Sequence, residues 1–181
     1  AFYFDIRKDS LYCDSIDSKN RKSTILLLNI ILNSLLKWFA PILSFTTEEI
    51  YRLIFNDSKS IHLEKFLNFP NNFENEKLYQ KWLELIKIRN ICNISIEEKR
   101  ANKEIGSSLE ADLNIHLDKK LEEITKNIDF SELCITSKAE ISFKENLETS
   151  AQTSKAKGKK CSLCWKINEN ACHRTHCPQN F

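Results

Sequence analysis

The stretch Ser18–Ala40, S-K-N-R-K-S-T-I-L-L-L-N-I-I-L-N-S-L-L-K-W-F-A, has the strongest helical pattern in the chain. Its apolar residues recur at intervals of three and four, which predicts a helix with one broad apolar face. The residues of that face are Ile25, Leu28, Leu32, Leu35 and Phe39. Ser18 is suited to cap the first turn, and Pro41 cannot continue the helix. This stretch therefore predicts a mainly α-helical fold.

Further helical segments lie on both sides of this stretch. Residues 1–12 mix aromatic and charged side chains and predict a short helix. Thr46-Thr47-Glu48-Glu49 has the form of a capping box, with Thr46 as N-cap, and predicts the start of another helix. Residues 73–103 predict a second long helix. Its apolar face comprises Leu78, Trp82, Leu85, Cys92 and Ile96. We expect these helices to pack as a bundle.

The composition agrees with a helical protein of the cytoplasm. Two glycines and three prolines among 181 residues favour long helices over a turn-rich β fold. No apolar run approaches the length of a membrane span, and no secretory signal opens the chain. The chain has no methionine and begins as though within a helix, which predicts a piece of a longer protein. Isolated Cys13, Cys92 and Cys134 fit a reducing compartment.

The hydrophobic pattern changes after residue 104. Alternating apolar residues predict a half-buried strand that contains Leu113, Ile115 and Leu117. Asp118 is placed to cap a short helix after this strand. Two more segments predict strands, 133–135 and 141–143. The stretch that follows is polar and aperiodic, which is typical of a linker.

The C-terminal end of the chain concentrates residues that bind metals. Cys161 and Cys164 form a C-x-x-C, the spacing at which two thiolates on one turn reach the same tetrahedral metal. After a gap of seven residues, the segment C-H-R-T-H-C (172–177) offers further ligands. A disulfide pair or a chance cluster is the alternative, but nothing else in the chain is typical of a secreted, disulfide-stapled protein. The spacing therefore predicts a knuckle that binds one zinc ion.

These patterns divide the chain into four expected regions. They are a helical bundle over residues 1–104, a small α/β junction subdomain over 105–143, a linker over 144–158 and a zinc knuckle over 159–181.

Positive charge is concentrated beside the knuckle. Residues 151–181 contain six Lys or Arg against Glu169 alone, a net charge of +5, whereas the other residues have 21 basic and 24 acidic side chains, a net charge of −3. A basic segment joined to a metal knuckle favours a polyanionic partner, and nucleic acid is the obvious one. The alternative is that these lysines only keep a linker soluble.

No motif for catalysis is present. The sequence lacks G-x-x-x-x-G-K-[ST], G-x-G-x-x-G, G-x-S-x-G and H-E-x-x-H, and two glycines do not build a phosphate cradle. His116 lies on the polar side of its predicted strand, with no acid or nucleophile placed near it in sequence, so we interpret it as structural. We predict no catalytic site in this chain.

Several segments, in order along the chain, resemble the anticodon-binding domain and zinc element of bacterial isoleucyl-tRNA synthetases, which are class I aminoacyl-tRNA synthetases. The segments are F-Y-F-D-I-R-K-D (2–9), W-F-A-P-I-L-S-F-T-T-E-E (38–49), I-H-L (61–63), I-G-S-S-L-E-A (105–111) and G-K-K-C-S-L-C-W (158–165). The I-G-S-S-L-E-A and C-x-x-C-W segments are specific to the family, whereas A-P-x-L-x-F-T is shared with related class I synthetases. The resemblance covers almost the whole chain.

The resemblance implies that the chain is the tRNA-binding C-terminal region of an isoleucine–tRNA ligase. The complete enzyme would be a cytoplasmic monomer that uses ATP to join isoleucine to its tRNA, with catalytic and editing domains upstream of this chain. The bundle would hold the anticodon stem and the knuckle would close over the anticodon loop, with neither DNA nor a membrane as partner. The alternative is a free-standing helical interaction module whose zinc ribbon binds nucleic acid or protein.

The resemblance also assigns roles to residues. The family usually ends in a second C-x-x-C, whereas four residues separate Cys172 from Cys177 here. We favour a ligand set of Cys161, Cys164, Cys172 and Cys177, with His176 in place of Cys177 as the alternative. Trp165 suits stacking on an unpaired base, or a lid over the metal turn. Contacts to the RNA backbone are expected from Lys157, Lys159, Lys160, Arg7, Lys8, Arg21, Arg89, Arg100 and Lys103.

Overall fold

A computed structural model describes residues 2–55, 59–170, 172, 174 and 177. The chain forms two compact units: the smaller is Ser15–Glu74, and the larger joins Ala1–Asp14 to Asn75–Phe181. Helices form most of the regular structure, which confirms the mainly helical class. None of the helices in the described ranges has the length and hydropathy that are needed to cross a bilayer.

The elements follow in chain order. The α-helices are α1 (Phe2–Cys13), α2 (Lys19–Phe39), α3 (Ser44–Phe55), α4 (Glu76–Ala101), α5 (Glu122–Thr125) and α6 (Phe130–Leu133). The strands are β1 (Ala111–Asp118), β2 (Lys138–Lys144), β3 (Ser150–Lys155), β4 (Lys159–Lys160) and β5 (Ile167–Asn168). Short 3₁₀ turns lie at Ile61–Leu63, Asn71–Phe73, Ser108–Glu110 and Lys119–Leu121.

Helix α2 begins and ends where the sequence predicts. The hydroxyl of Ser18 accepts a hydrogen bond from the backbone N–H of Arg21 at 3.4 Å, which caps the first turn. The helix ends at Phe39, two residues before Pro41. Its buried face is displaced from the predicted one, because Leu36 is buried whereas Leu35 is exposed.

Helix α3 and the 3₁₀ turn after it complete the core of the smaller unit. Tyr51 and Ile61 are buried against Leu36 of α2. The predicted capping box is wrong, because α3 begins at Ser44 and therefore includes all four residues of the box. The Glu48 carboxylate instead accepts a hydrogen bond from the backbone N–H of Ile61 at 2.9 Å, which ties the turn to the helix.

The larger unit is built around a mixed sheet with strand order β2-β1-β3. Strand β1 pairs parallel to β2 and antiparallel to β3, with Ile115 opposite Ile141 on one side and Ala151 on the other. The predicted strand pattern of β1 is confirmed, since Leu113, Ile115 and Leu117 are buried. Helix α4 packs on this sheet through Leu85, Ile88, Cys92 and Ile96.

Strand β3 lies inside the stretch that the sequence predicts to be a linker. Its alternation is difficult to recognise, because the residues directed to the core are only Ala151 and Thr153. The hydroxyl of Thr153 lies 2.8 Å from that of Ser95 in α4, so its burial is satisfied by a hydrogen bond. The strand is therefore stabilised by its partner strand and by α4 more than by its own hydrophobicity.

The segment 133–135 is also corrected by the structure. It contains the end of helix α6 and not a strand. Asp129 caps this helix by accepting hydrogen bonds from the N–H groups of Ser131 at 2.8 Å and Glu132 at 3.3 Å. Cys134 follows as C-cap and is buried in the core of the larger unit.

Two other local predictions for this region are confirmed. The predicted strand over 141–143 is part of β2. Asp118 caps the short helical turn after β1, because its carboxylate accepts a hydrogen bond from the backbone N–H of Lys120 at 2.8 Å.

Helices α1 and α4 belong to the larger unit, although the sequence grouped them with α2 and α3 in one bundle. Phe2 of α1 packs edge-on against Trp82 of α4, with ring centroids 6.5 Å apart. Arg7 of α1 forms an ion pair with Glu132 of α6 at 2.7 Å. These contacts join α1 to helices α4 and α6, whose contacting residues lie at least 80 positions later in the sequence.

Candidate metal centre and nucleic-acid interface

The β4–β5 hairpin carries the C-x-x-C pair on its connecting turn. The backbone N–H of Cys161 donates to the carbonyl of Lys166 at 2.8 Å, and that of Trp165 donates to the carbonyl of Cys161 at 2.9 Å. These two bonds close a tight turn between strands that pair in antiparallel register. The sulfur atoms of Cys161 and Cys164 are thereby held on one side of the turn.

Four cysteine side chains meet beneath this turn. The sulfur atoms of Cys161, Cys164 and Cys172 all lie within 4.8 Å of one another. The sulfur of Cys177 lies 3.4 Å from that of Cys161, and Cys164 and Cys172 are 4.0 Å apart. A Zn–S bond of about 2.3 Å gives a tetrahedral S–S edge of about 3.8 Å, close to both separations. All four residues are buried, and the sulfurs of Cys161, Cys164 and Cys172 form a group that could hold a metal ion.

The environment of Cys161 favours its thiolate form, whereas that of Cys164 opposes it. Burial opposes the ionisation of Cys161, but the backbone N–H groups of Cys164 and Leu163 are directed at its sulfur and lower its pKa to about 7. Burial raises the pKa of Cys164 to about 12. Because a metal ligand must be deprotonated, a turn that stabilises one thiolate at neutral pH is prepared to receive a cation.

The position of Cys177 bears on the predicted ligand set. Its sulfur is close to that of Cys161, but it does not belong to the group of three sulfurs that lie within 4.8 Å of one another. The choice of Cys177 as the fourth ligand therefore stays a prediction. The alternative ligand His176, and likewise His173, lie outside the described residues.

Helix α1 contributes to this region in a way that the sequence does not indicate. Cys13 is buried against the four cysteines, and its thiol donates to the carbonyl of Leu163 at 3.4 Å. Burial raises the pKa of the Cys13 thiol to about 11. The Arg174 guanidinium reaches Asp9 at 2.8 Å and Asp14 at 3.0 Å. No local pattern links residues 150 or more positions apart, so no sequence signal could have found these contacts.

The predicted RNA-binding residues in and next to the knuckle lie at the surface. Trp165 is 60% exposed and has a left-handed backbone, with φ of 62°. The ammonium of Lys160 lies 6.0 Å from the centre of the Trp165 ring. Lys157 and Lys159 are exposed as well. An apolar cavity of about 530 Å³ lies between α1 and the knuckle, and Tyr12, Leu163 and Trp165 are among its lining residues.

The other basic residues that we predicted to contact the RNA backbone are spread over both units. In the larger unit, Lys8 pairs with Asp5 at 2.9 Å, and Arg100 pairs with Glu97 at 2.6 Å. Lys103 is exposed beyond the end of α4. Arg21 lies in the first turn of α2, in the smaller unit.

Two of the selected arginines make internal contacts in the larger unit. The guanidinium of Arg89 donates to the carbonyl of Leu133 at 2.9 Å and covers the ring of Phe2. Arg7 is paired with Glu132. Both side chains join helices within this unit, and neither is fully exposed.

Comparison with known proteins defines the class of this fold. A family model described as the anticodon-binding domain of tRNA ligase matches residues 1–116. The chain therefore belongs to the family of anticodon-binding domains of tRNA ligases.

The individual relatives narrow this class further. The chain is 63% identical over 174 residues to the isoleucine–tRNA ligase of Pelagibacter ubique, an alignment that covers 96% of this chain and 19% of the relative. It is 37% identical over 181 residues to that of Bartonella henselae, covering 94% of this chain and 19% of the relative. The corresponding ligase of Agrobacterium fabrum is 36% identical over 178 residues, with 92% and 18% covered. The chain thus spans about a fifth of the length of these curated relatives.

Proposed function

We propose that this chain is the tRNA-binding, C-terminal region of an isoleucine–tRNA ligase. The observation that carries the proposal is the 63% identity to one such ligase over 96% of this chain. The complete enzyme would be a cytoplasmic monomer that joins isoleucine to its tRNA in an ATP-dependent reaction. ATP and isoleucine would be bound by a catalytic domain outside this chain. An editing domain would be needed as well, because a side-chain pocket separates isoleucine from valine by only about 1–3 kcal/mol.

Zinc is the metal that the cysteine cluster would hold. Four thiolates from Cys161, Cys164, Cys172 and Cys177 would complete a tetrahedral site with no position left open for a substrate. Bound zinc would supply folding energy to the knuckle and would take no part in the aminoacylation chemistry. This role is supported by the burial of all four residues.

The tRNA would be bound by two kinds of contact. Exposed lysines at the start of the knuckle and just before it, Lys157, Lys159 and Lys160, would contact phosphates and position the RNA without reading its sequence. Trp165 would stack on an unpaired anticodon base. Its 60% exposure and the adjoining cavity support this role over that of a lid on the metal turn.

The outer basic residues would contribute less to RNA binding. Lys8, Arg21, Arg100 and Lys103 would add phosphate contacts along the anticodon stem. The internal contacts of Arg7 and Arg89 favour a mainly structural contribution from these two residues.

A binding assay with two tRNAs tests the proposal. The chain, loaded with zinc, is titrated with isoleucine tRNA and with a non-cognate tRNA at fixed salt, because salt alone changes any polyanion affinity. We expect tighter binding of isoleucine tRNA, and loss of this preference in Trp165→Ala, since stacking on one base contributes about 1–3 kcal/mol. Equal, weak binding of both tRNAs by the unmodified chain would support the free-standing module instead.

A matched set of lysine variants separates a local contact from general charge. One variant replaces Lys157, Lys159 and Lys160 by Gln, and the control replaces exposed Lys119, Lys120 and Lys126 of the same unit by Gln. Both lose three positive charges. We expect the knuckle variant to lose more affinity for isoleucine tRNA than the control, whereas equal losses would mean that only net charge matters.

The metal is tested separately by mass spectrometry of the native protein. One zinc ion per chain is the expected result. A metal-free chain with an unchanged fold would remove zinc from the proposal but would leave the tRNA contacts to be decided by the titration.

A further inference from the structure

We propose that the metal knuckle is positioned by the end of helix α1, and that Arg174 is the residue that connects them. The inference rests on the proposed metal site, and goes beyond it by assigning a positioning role to a side chain that is not a ligand. In this arrangement Asp9, Asp14 and Arg174 form a clamp between the two ends of the chain.

The clamp joins one buried cation to two partly exposed anions. The Nη2 atom of Arg174 lies 2.8 Å from Asp9 Oδ2, and its Nε lies 3.0 Å from Asp14 Oδ1. The Arg174 side chain is only 7% exposed. A buried guanidinium is costly to leave without its carboxylates, so Arg174 is held where both acids can reach it.

The backbone of Arg174 extends this constraint to the metal ligands. Arg174 lies between Cys172 and Cys177, and its carbonyl accepts a hydrogen bond from the N–H of Cys177 at 3.0 Å. The side chain therefore binds α1 and its continuation while the main chain orients a cysteine of the cluster. A shift of the guanidinium would move the second pair of thiols relative to the first pair.

The first pair of cysteines is held by α1 as well. The Cys13 thiol donates to the carbonyl of Leu163, which lies between Cys161 and Cys164, at 3.4 Å. Cys13 is buried beside all four cysteines of the cluster. The end of α1 thus contacts both halves of the knuckle, one through Leu163 and the other through Arg174. This double contact explains how two cysteine pairs separated by seven residues are brought into one cluster.

Zinc affinity in the full chain tests the clamp. Zinc is titrated in competition with a chromogenic chelator for the unmodified chain, Asp14→Asn, Arg174→Gln and the double variant. The control is Asp5→Asn, which removes an exposed carboxylate from the same helix, where it pairs with Lys8. We expect Asp14→Asn and Arg174→Gln each to weaken zinc binding by about 10- to 100-fold, the range seen when residues that support metal ligands are removed. Asp5→Asn should stay within about twofold on the same scale.

Three further tests distinguish positioning from a general loss of stability. The double variant should lose less than the product of the two single losses, because each single change already opens the clamp. Cobalt in place of zinc should report a distorted thiolate site in the single variants, through its visible absorption spectrum, even where the helical circular dichroism of the chain is unchanged. Arg174→Lys keeps the positive charge but loses the planar guanidinium that reaches two carboxylates at once, so this variant should retain part of the zinc affinity.

The outcomes separate the two proposals. If the unmodified chain binds no zinc, the metal site itself is refuted and the clamp is refuted with it. If the unmodified chain binds zinc and Asp14→Asn and Arg174→Gln bind it as tightly as Asp5→Asn does, the metal site stands and the clamp is overturned.

Discussion

Replacement of Gly158 by Ala is expected to destabilise the β4–β5 hairpin of the knuckle. Gly158 has φ of +125°, a conformation that side chains rarely adopt, and it directly precedes β4. A Cβ at this position would lie 2.2 Å from the carbonyl oxygen of Asn168, 2.4 Å from its carbonyl carbon and 2.7 Å from the nitrogen of Glu169. All three atoms belong to the main chain, so no change of rotamer relieves the clash.

The magnitude follows from two costs. Forcing a residue with a Cβ into this backbone conformation costs about 1–3 kcal/mol. Moving Asn168 away weakens the pairing of β4 with β5, at about 0.5–1.5 kcal/mol for each backbone hydrogen bond that is lost. A total of about 2–4 kcal/mol is therefore expected. Because the hairpin positions Cys161 and Cys164, this cost should weaken zinc binding by about 30- to 1,000-fold.

The assay is the same chelator competition, with the other glycine of the chain as control. At Gly106 a Cβ would meet no atom closer than the Glu110 side-chain oxygen at 3.5 Å, which is an ordinary contact. Gly106→Ala should therefore leave zinc affinity within about twofold, since no strain is created. Equal affinities for the two alanine variants would refute the argument that the hairpin depends on this close approach.

Three further variants test the stability of each unit by itself. Leu113→Ala in β1 should lower the free energy of unfolding of the larger unit by about 2–5 kcal/mol in chemical denaturation, because the side chain is fully buried. Ser95→Ala should cost about 1–3 kcal/mol in the same measurement, because it leaves the buried Thr153 hydroxyl without this partner; no change would contradict the assigned role of β3. Glu48→Gln tests pH dependence: the N–H of Ile61, then the Ser60 hydroxyl and Arg52, lower the pKa of Glu48, so the carboxylate stabilises the smaller unit above its ordinary pKa. That contribution is lost as pH falls through the lowered value, and thermal melts of the Gln variant should lack this part of the acid dependence.

The long helices and the C-x-x-C pair follow from the sequence by itself, because their causes are local. Periodic apolar residues predict α2 and α4, and alternation predicts β1, since each pattern depends on residues within a few positions of one another. The C-x-x-C pair is equally local: two thiols three residues apart lie on one turn whatever the rest of the chain does. The resemblance to isoleucyl-tRNA synthetases depends on such short segments too.

The tertiary structure decided what depends on distant residues. Strand β3 has only Ala151 and Thr153 to direct at the core, so its own sequence does not distinguish it from a linker; pairing with β1 makes it a strand. Helix α1 belongs to the larger unit because Phe2 packs against Trp82 of α4, 80 positions later. The contacts of Arg174 with Asp9 and Asp14 span at least 160 positions. No periodicity encodes such pairs, because they form only when the folded chain brings its two ends together.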